Sequence, residues 1–273
     1  MTLPAERTIE LLEHALGRDA RVKAAWLKGS FGRCADADRH SDIDLHVWLG
    51  PDDAPGFRQE LEGWLAAFQP ILIHELFGGT MIVTLLQGDD AQVVALDVFV
   101  ETAAEMQITE GQARVLLDRD AQLERVPFTP PEQASLQRDF GVEVSYFWRL
   151  FAMLPSLERD ERIPAVLRLS QEVAQVVNVC SLGRGRPRDV GEKRANELLE
   201  PDKRAELEAV LALPEITQTA LVKTHLELAR IMGRRGRLAA ERLNAPYPEE
   251  LERAVMAYVQ LELSRMKLVA DSK

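Results

Sequence analysis

The sequence predicts an α/β N-terminal domain with a mixed sheet, followed by an all-α C-terminal helical bundle. Up to about residue 120, short apolar runs alternate with turn residues, which is the pattern of strands with a few helices. Beyond residue 133, apolar residues recur at the spacing of amphipathic helices. The Pro-rich segment VPFTPPEQ (126–133) separates the two patterns, so we expect domains at residues 1–128 and 129–273.

Six runs in the N-terminal half have the length and composition of strands. A helix over residues 6–17 precedes them, and a second helix over Phe57–Phe68 lies between the second and third runs. A strand, a helix and then several adjacent strands are typical of a mixed sheet. The candidate strands are Val22–Leu27, Ile43–Leu49, Ile71–Phe77, Met81–Leu86, Gln92–Val100 and Arg114–Leu117.

The C-terminal half contains four long segments with helical periodicity. Each carries apolar side chains along one face, which favours a bundle in which these faces pack together. The segments are Ser135–Leu154, Ile163–Leu182, Ile216–Asn244 and Glu249–Val269.

The negative charge of the chain is concentrated in its N-terminal half. The net charge is −11, and residues 1–130 carry 22 acidic against 11 basic residues. An N-terminal half with this excess of negative charge repels nucleic-acid phosphates and attracts cations, either metal ions or a polycationic substrate. We therefore expect no nucleic-acid partner.

The sequence indicates neither a membrane span nor an export signal. No apolar run has the length of a span, and the N-terminus lacks a basic region followed by an apolar one. Cys34 and Cys180 lie far apart and form no CxxC pair. We expect a reduced, cytoplasmic protein without a membrane partner.

A motif of glycine, serine and two aspartates is suited to a metal–triphosphate. Gly29-Ser30 ends an apolar strand, eleven residues follow, and Asp42-Ile43-Asp44 opens the next strand. Because side chains alternate along a strand, Asp42 and Asp44 point the same way while Ile43 points into the core. Two adjacent carboxylates repel unless a cation neutralises them, and Mg²⁺ takes one or two carboxylates plus substrate phosphates. Gly29 permits close backbone approach, and Ser30 offers a hydroxyl and an amide to a phosphate oxygen.

A third carboxylate, Asp97, lies inside the apolar strand VVALDVFV (93–100). An acid in this position is costly unless metal or proton chemistry requires it. If this strand neighbours the strand of Asp44, three carboxylates converge on one site. Two of them could hold metal while the third deprotonates an attacking hydroxyl.

Structural roles remain open for the same carboxylates. Asp42 and Asp44 could cap a turn and pair with Arg33 or Arg39. Asp97 could be a structural acid paired with a basic side chain.

These features together resemble the signature of the DNA polymerase β-like nucleotidyltransferase superfamily. The chain is most similar to its bacterial antibiotic nucleotidyltransferases, of the lincosamide and the streptomycin/spectinomycin types, which pair this domain with a helical C-terminal domain. The similarity also covers residues 71–83, residues 115–120 and, more loosely, residues 183–199. The resemblance implies a nucleotidyltransferase catalytic domain at residues 1–128 and a helical substrate-binding domain at residues 129–273.

The resemblance also implies roles for individual residues. Asp42 and Asp44 would ligate Mg²⁺. Asp97 would be a third metal ligand, the base that activates the acceptor hydroxyl, or both.

Four further residues would bind the triphosphate by the same resemblance. Gly29 and Ser30 match the family's phosphate loop, Arg33 matches a basic residue just after it, and Lys193 matches a basic residue of the helical domain. Lys193 could instead belong to an ordinary solvated basic loop. Cys34 departs from the glycine that many relatives have, which puts the loop contacts in question.

The implied reaction moves AMP from ATP to a hydroxyl of a small molecule, an aminoglycoside or a lincosamide, and releases pyrophosphate. Two alternatives stay open: adenylylation of a protein, and a non-catalytic nucleotide-binding or interaction protein. A homodimer is an expectation from the family alone.

Overall fold

The computed structural model of the chain describes residues 4–33, 37–77, 81–88, 92–187, 195–213 and 215–269. Its contacts divide the chain into two units, Met1–Thr129 and Pro130–Lys273. The elements of the first unit are α1 (Pro4–Arg18), β1 (Val22–Leu27), α2 (Gly29–Arg33), β2 (Ile43–Leu49), α3 (Ala54–Ala66), β3 (Ile71–Phe77), β4 (Met81–Gln87), β5 (Val93–Glu101), β6 (Gln107–Thr109), β7 (Arg114–Asp118) and β8 (Glu124–Val126).

A six-stranded mixed sheet forms the first unit, which confirms the expected fold class. The strand order is β3-β4-β5-β2-β1-β7. β2 and β5 are parallel, whereas all other neighbours in this sheet are antiparallel. β6 and β8 form a separate parallel pair.

One face of the sheet carries the hydrophobic core of this unit. Alternate residues of β2 and β5 pack there against α1, which contributes Ile9 and Leu12, and against α3, which contributes Phe57 and Leu61. Alternation along each strand therefore sends the intervening residues, the aspartates among them, to the opposite face.

Helices are the only regular elements in the described part of the second unit, as the sequence predicts. They are α4 (Gln133–Phe147), α5 (Leu154–Glu158), α6 (Arg162–Leu182), α7 (Ala195–Leu198), α8 (Pro201–Leu211), α9 (Gln218–Leu243) and α10 (Glu249–Arg265). Their apolar faces share one core, which includes Phe140, Phe147 and Trp148. Among the described helices, none combines the length and apolar character needed to cross a bilayer.

The helix expected over Ser135–Leu154 is interrupted. α4 ends at Phe147, and a 3-10 turn over Leu150–Met153 leads into α5. Pro155 lies in the first turn of α5. Proline is accommodated in the first turn of a helix, where its missing N–H would have no intrahelical partner, so its position fits the start of α5.

A buried polar network lies between α6 and α9. Glu172 and His225 are both fully buried, and His225 Nδ1 lies 2.7 Å from Glu172 Oε2. Arg168 Nε donates to Glu172 Oε1 at 3.2 Å. The arginine thus offsets the carboxylate charge inside the bundle.

Candidate active site

Three carboxylates meet where the start of β2 lies beside the middle of β5. Asp44 in β2 and Asp97 in β5 are directly paired in the parallel register, and Asp42 immediately precedes β2. One carboxylate oxygen from each residue lies within 4.8 Å of the others. All three residues are half-buried. The structure therefore brings together side chains that lie more than fifty positions apart in the sequence.

Burial of the core face fixes the direction of these side chains. Ile43 and Leu45 flank Asp44, Leu96 and Val98 flank Asp97, and all four are buried in the core. A shift of either strand by one residue would expose this apolar set. The same packing that builds the sheet thus directs Asp44 and Asp97 to one side of it.

Gly29 holds the backbone close to the Asp44 carboxylate. Its φ is +60°, and a Cβ at this position would lie 1.9 Å from Asp44 Oδ2. The N–H of Lys28 also donates to the Asp44 carbonyl oxygen at 2.9 Å. Only glycine adopts this φ without strain and leaves room for the carboxylate.

Ser30 lies next to Gly29 with an unused hydroxyl. Its Oγ is buried and has no hydrogen-bond partner within the described residues. Buried polar atoms usually have a partner, so an orphan in the residue after Gly29, which itself lies against the Asp44 carboxylate, is consistent with a position for a ligand atom. Arg33, half-buried, ends the same short helix α2, whereas Lys193 lies outside the described residues.

The donor set fits a divalent metal ion. Three carboxylates within 4.8 Å supply the hard oxygen ligands that Mg²⁺ and Mn²⁺ prefer. A cation among them would also relieve their mutual repulsion. Asp42, Asp44 and Asp97 are the residues that could hold it.

His46 lies on the same sheet face but is a packing residue. Its ring stacks between Trp26, at 5.4 Å, and Phe99, at 4.5 Å. Burial lowers the pKa of His46, although the Glu101 carboxylate 2.8 Å from Nδ1 opposes this shift. These contacts account for the histidine without any role as a ligand.

Glu75, in β3, is a further carboxylate on this face of the sheet. Sequence reasoning does not single it out, although it meets the criterion applied to Asp97, an acid within an apolar strand.

Solved structures that are similar to this chain include the following two. One is an aminoglycoside 6-adenyltransferase from Bacillus subtilis, which is 16% identical with a TM-score of 0.41, over 96% of this chain and 99% of that chain. Another is a nucleotidyltransferase-like protein from Exiguobacterium sibiricum, 12% identical with a TM-score of 0.36, over 96% and 88% of the two chains. No protein-family model matches the sequence, and no curated protein matches it significantly.

Proposed function

We propose that the protein is a Mg²⁺-dependent nucleotidyltransferase that moves AMP from ATP to a hydroxyl of a small molecule and releases pyrophosphate. The observation that carries this proposal is the convergence of Asp42, Asp44 and Asp97 beside Gly29 and the orphan Ser30 hydroxyl. This arrangement supports phosphoryl chemistry because it joins oxygen ligands for a cation to a loop with an unused donor.

The three carboxylates would have two roles, metal binding and proton transfer. Asp42 and Asp44 would hold the metal ion, which supplies charge neutralisation of the triphosphate when bound. Asp97 would accept the proton of the acceptor hydroxyl, alone or while also contacting the ion. The hydroxyl oxygen then forms a bond to the α-phosphorus of ATP as the bond to pyrophosphate breaks.

The loop after β1 would orient the triphosphate. The Ser30 hydroxyl would donate to a phosphate oxygen, and Gly29 would allow the phosphates to approach the backbone. Arg33 would add positive charge at the end of α2. The family resemblance implies Lys193 as a second basic ligand of the triphosphate, and this residue lies outside the described residues.

We further propose an antibiotic acceptor, an aminoglycoside or a lincosamide. The acidic N-terminal half favours a polycationic acceptor, because residues 1–130 carry twice as many acidic as basic side chains.

A transfer assay read by mass spectrometry tests the proposal. Purified protein, MgCl₂ and ATP would be incubated with a panel of aminoglycosides and lincosamides. We expect a product heavier by one AMP, and a fall of about 100-fold or more with Asp97→Asn, since a general base contributes about that much. Asp52→Asn, an exposed aspartate before α3, is the matched control and should retain the activity.

Absence of a product with every acceptor and every nucleoside triphosphate would contradict a small-molecule transferase. Modified protein substrates in the same reaction would then indicate protein adenylylation. Nucleotide binding without turnover, unchanged by Asp97→Asn, would indicate a binding protein.

A further inference from the structure

The cross-strand pairing that joins Asp44 to Asp97 continues through β4 to a fourth carboxylate in β3. Asp44 is paired with Asp97, Asp97 with Val83 in β4, and Val83 with Glu75 in β3. Residues paired across neighbouring strands point to the same face of a sheet. Glu75 therefore lies on the face that carries the three aspartates, two strands away from Asp97.

A side-chain contact on the opposite face supports this orientation. His74 Nδ1 lies 2.9 Å from Thr84 Oγ1, and Thr84 is fully buried between Val83 and Leu85. His74 thus points to the core side of the sheet, so its neighbour Glu75 points away from the core.

The surface between Glu75 and Asp97 is apolar. Val83 and Met81 in β4 are half-buried, and Phe77 at the end of β3 is exposed. β3, β4 and β5 contain no lysine or arginine. No basic side chain of these strands therefore opposes a cation on this surface.

Glu75 is exposed and its carboxylate has no hydrogen-bond or ion-pair partner in the part of the chain that the structure describes. Two strand spacings of roughly 4.8 Å separate it from Asp97 along the row, a span of about 10 Å. A small molecule that reaches both side chains must therefore carry its two functional groups about 10 Å apart.

We infer that Glu75 determines acceptor specificity by binding an ammonium group of the acceptor. The acceptor would lie across β4, with an apolar ring face on Val83 and Met81 and its reactive hydroxyl at Asp97. The inference rests on the proposed function and adds the chemistry of the acceptor: a hydroxylated amine whose cationic group lies about 10 Å from the hydroxyl.

The test compares two acceptors that differ only by replacement of an amine with a hydroxyl. Steady-state AMP transfer would be measured for each with the wild-type protein, with Glu75→Gln and with Glu62→Gln. Glu62 is an exposed glutamate of α3, which packs on the opposite face of the sheet. Glu62→Gln therefore removes the same charge as Glu75→Gln but away from the candidate acceptor surface, and it is the matched control.

We expect the wild-type protein to prefer the amine. Glu75→Gln should reduce kcat/KM for the amine roughly tenfold more than for its hydroxyl counterpart, because the substitution removes the negative charge that pairs with the ammonium group. The change should appear in KM rather than kcat, since the reacting groups stay in place. Glu62→Gln should keep the wild-type preference.

Calorimetric binding of the amine separates failure of this inference from failure of the proposed function. Transfer with an unchanged amine preference in Glu75→Gln would overturn the inference and leave the transferase proposal intact. Binding of the amine that depends on Glu75, without transfer, would contradict the transferase and support the cation site. Neither transfer nor binding would overturn both.

Discussion

Substitution of Gly29 by alanine tests whether the loop after β1 holds the metal-ligating carboxylate in position. The new methyl group would lie 1.9 Å from Asp44 Oδ2, and the backbone φ there is +60°. The change therefore combines backbone strain with displacement of a carboxylate, and the two effects can be measured separately.

The backbone strain at residue 29 lowers the stability of the fold, whereas displacement of the Asp44 carboxylate lowers metal binding and activity. A left-handed conformation costs a non-glycine residue about 1–2 kcal/mol. The Asp44 oxygen must withdraw by about 1.1 Å to reach 3.0 Å, the closest approach that real Cβ atoms keep. A flexible carboxylate can turn away at small cost to stability, but a misplacement of about 1 Å at a reacting site reduces activity by about 100-fold.

Gly111→Ala is the matched control. Gly111 has φ +72°, and a Cβ there would have nothing within 4 Å. This variant therefore carries the backbone strain without the contact to a carboxylate.

Urea unfolding, Mn²⁺ binding followed by electron paramagnetic resonance, and AMP transfer would be measured for both variants. We expect both to lose about 1–2 kcal/mol of unfolding free energy, and only Gly29→Ala to lose metal affinity and transfer. Wild-type Mn²⁺ affinity in Gly29→Ala would refute the reasoning, because the Asp44 carboxylate would then not depend on the space at Gly29.

Three further predictions concern stability. Gly236→Ala would place a Cβ 2.6 Å from the ring of Tyr247, and thermal unfolding should show a loss of about 1–3 kcal/mol in the free energy of unfolding. An unchanged unfolding midpoint would contradict this contact. Glu172→Gln removes the charge of a fully buried carboxylate that pairs with the half-buried Arg168, and it should cost about 3 kcal/mol in urea unfolding. A loss below about 1 kcal/mol would argue against burial of the charge. Hydrogen bonds from Arg21 lower the pKa of Asp19. The ionised Asp19 carboxylate therefore stabilises the fold fully at neutral pH, and this stabilisation is lost as the pH falls below about 4. Asp19→Asn should flatten the dependence of unfolding free energy on acid pH, and a curve identical to that of the wild-type protein would contradict the stabilising role of Asp19.

Elements with strong local periodicity agree with the sequence prediction. β1, β2 and β3 have the predicted bounds, because alternating apolar residues and flanking turn residues mark both ends of each strand. β6 and β8 have three residues each, too few to show a period. α8 buries only Lys203 and Leu207, so it presents no apolar stripe that the sequence could reveal.

Helix ends depend on single residues as well as on periodicity. α9 begins at Gln218 rather than at Ile216, because the Thr217 side chain accepts a hydrogen bond from the N–H of Ala220 and caps the helix. α10 ends at Arg265, four residues before the predicted end, and Lys267 has φ +59°. A left-handed residue cannot continue a right-handed helix.

The sequence by itself determined the carboxylate pair and its loop. Gly29-Ser30, the spacer and Asp42-x-Asp44 are local, and strand alternation alone directs both aspartates to one face. The placement of Asp97 required the parallel pairing of β2 with β5, and that of Glu75 required two further antiparallel pairings. Strand order and register are non-local, because they are set by burial of one apolar face against α1 and α3, and no spacing along the chain encodes them.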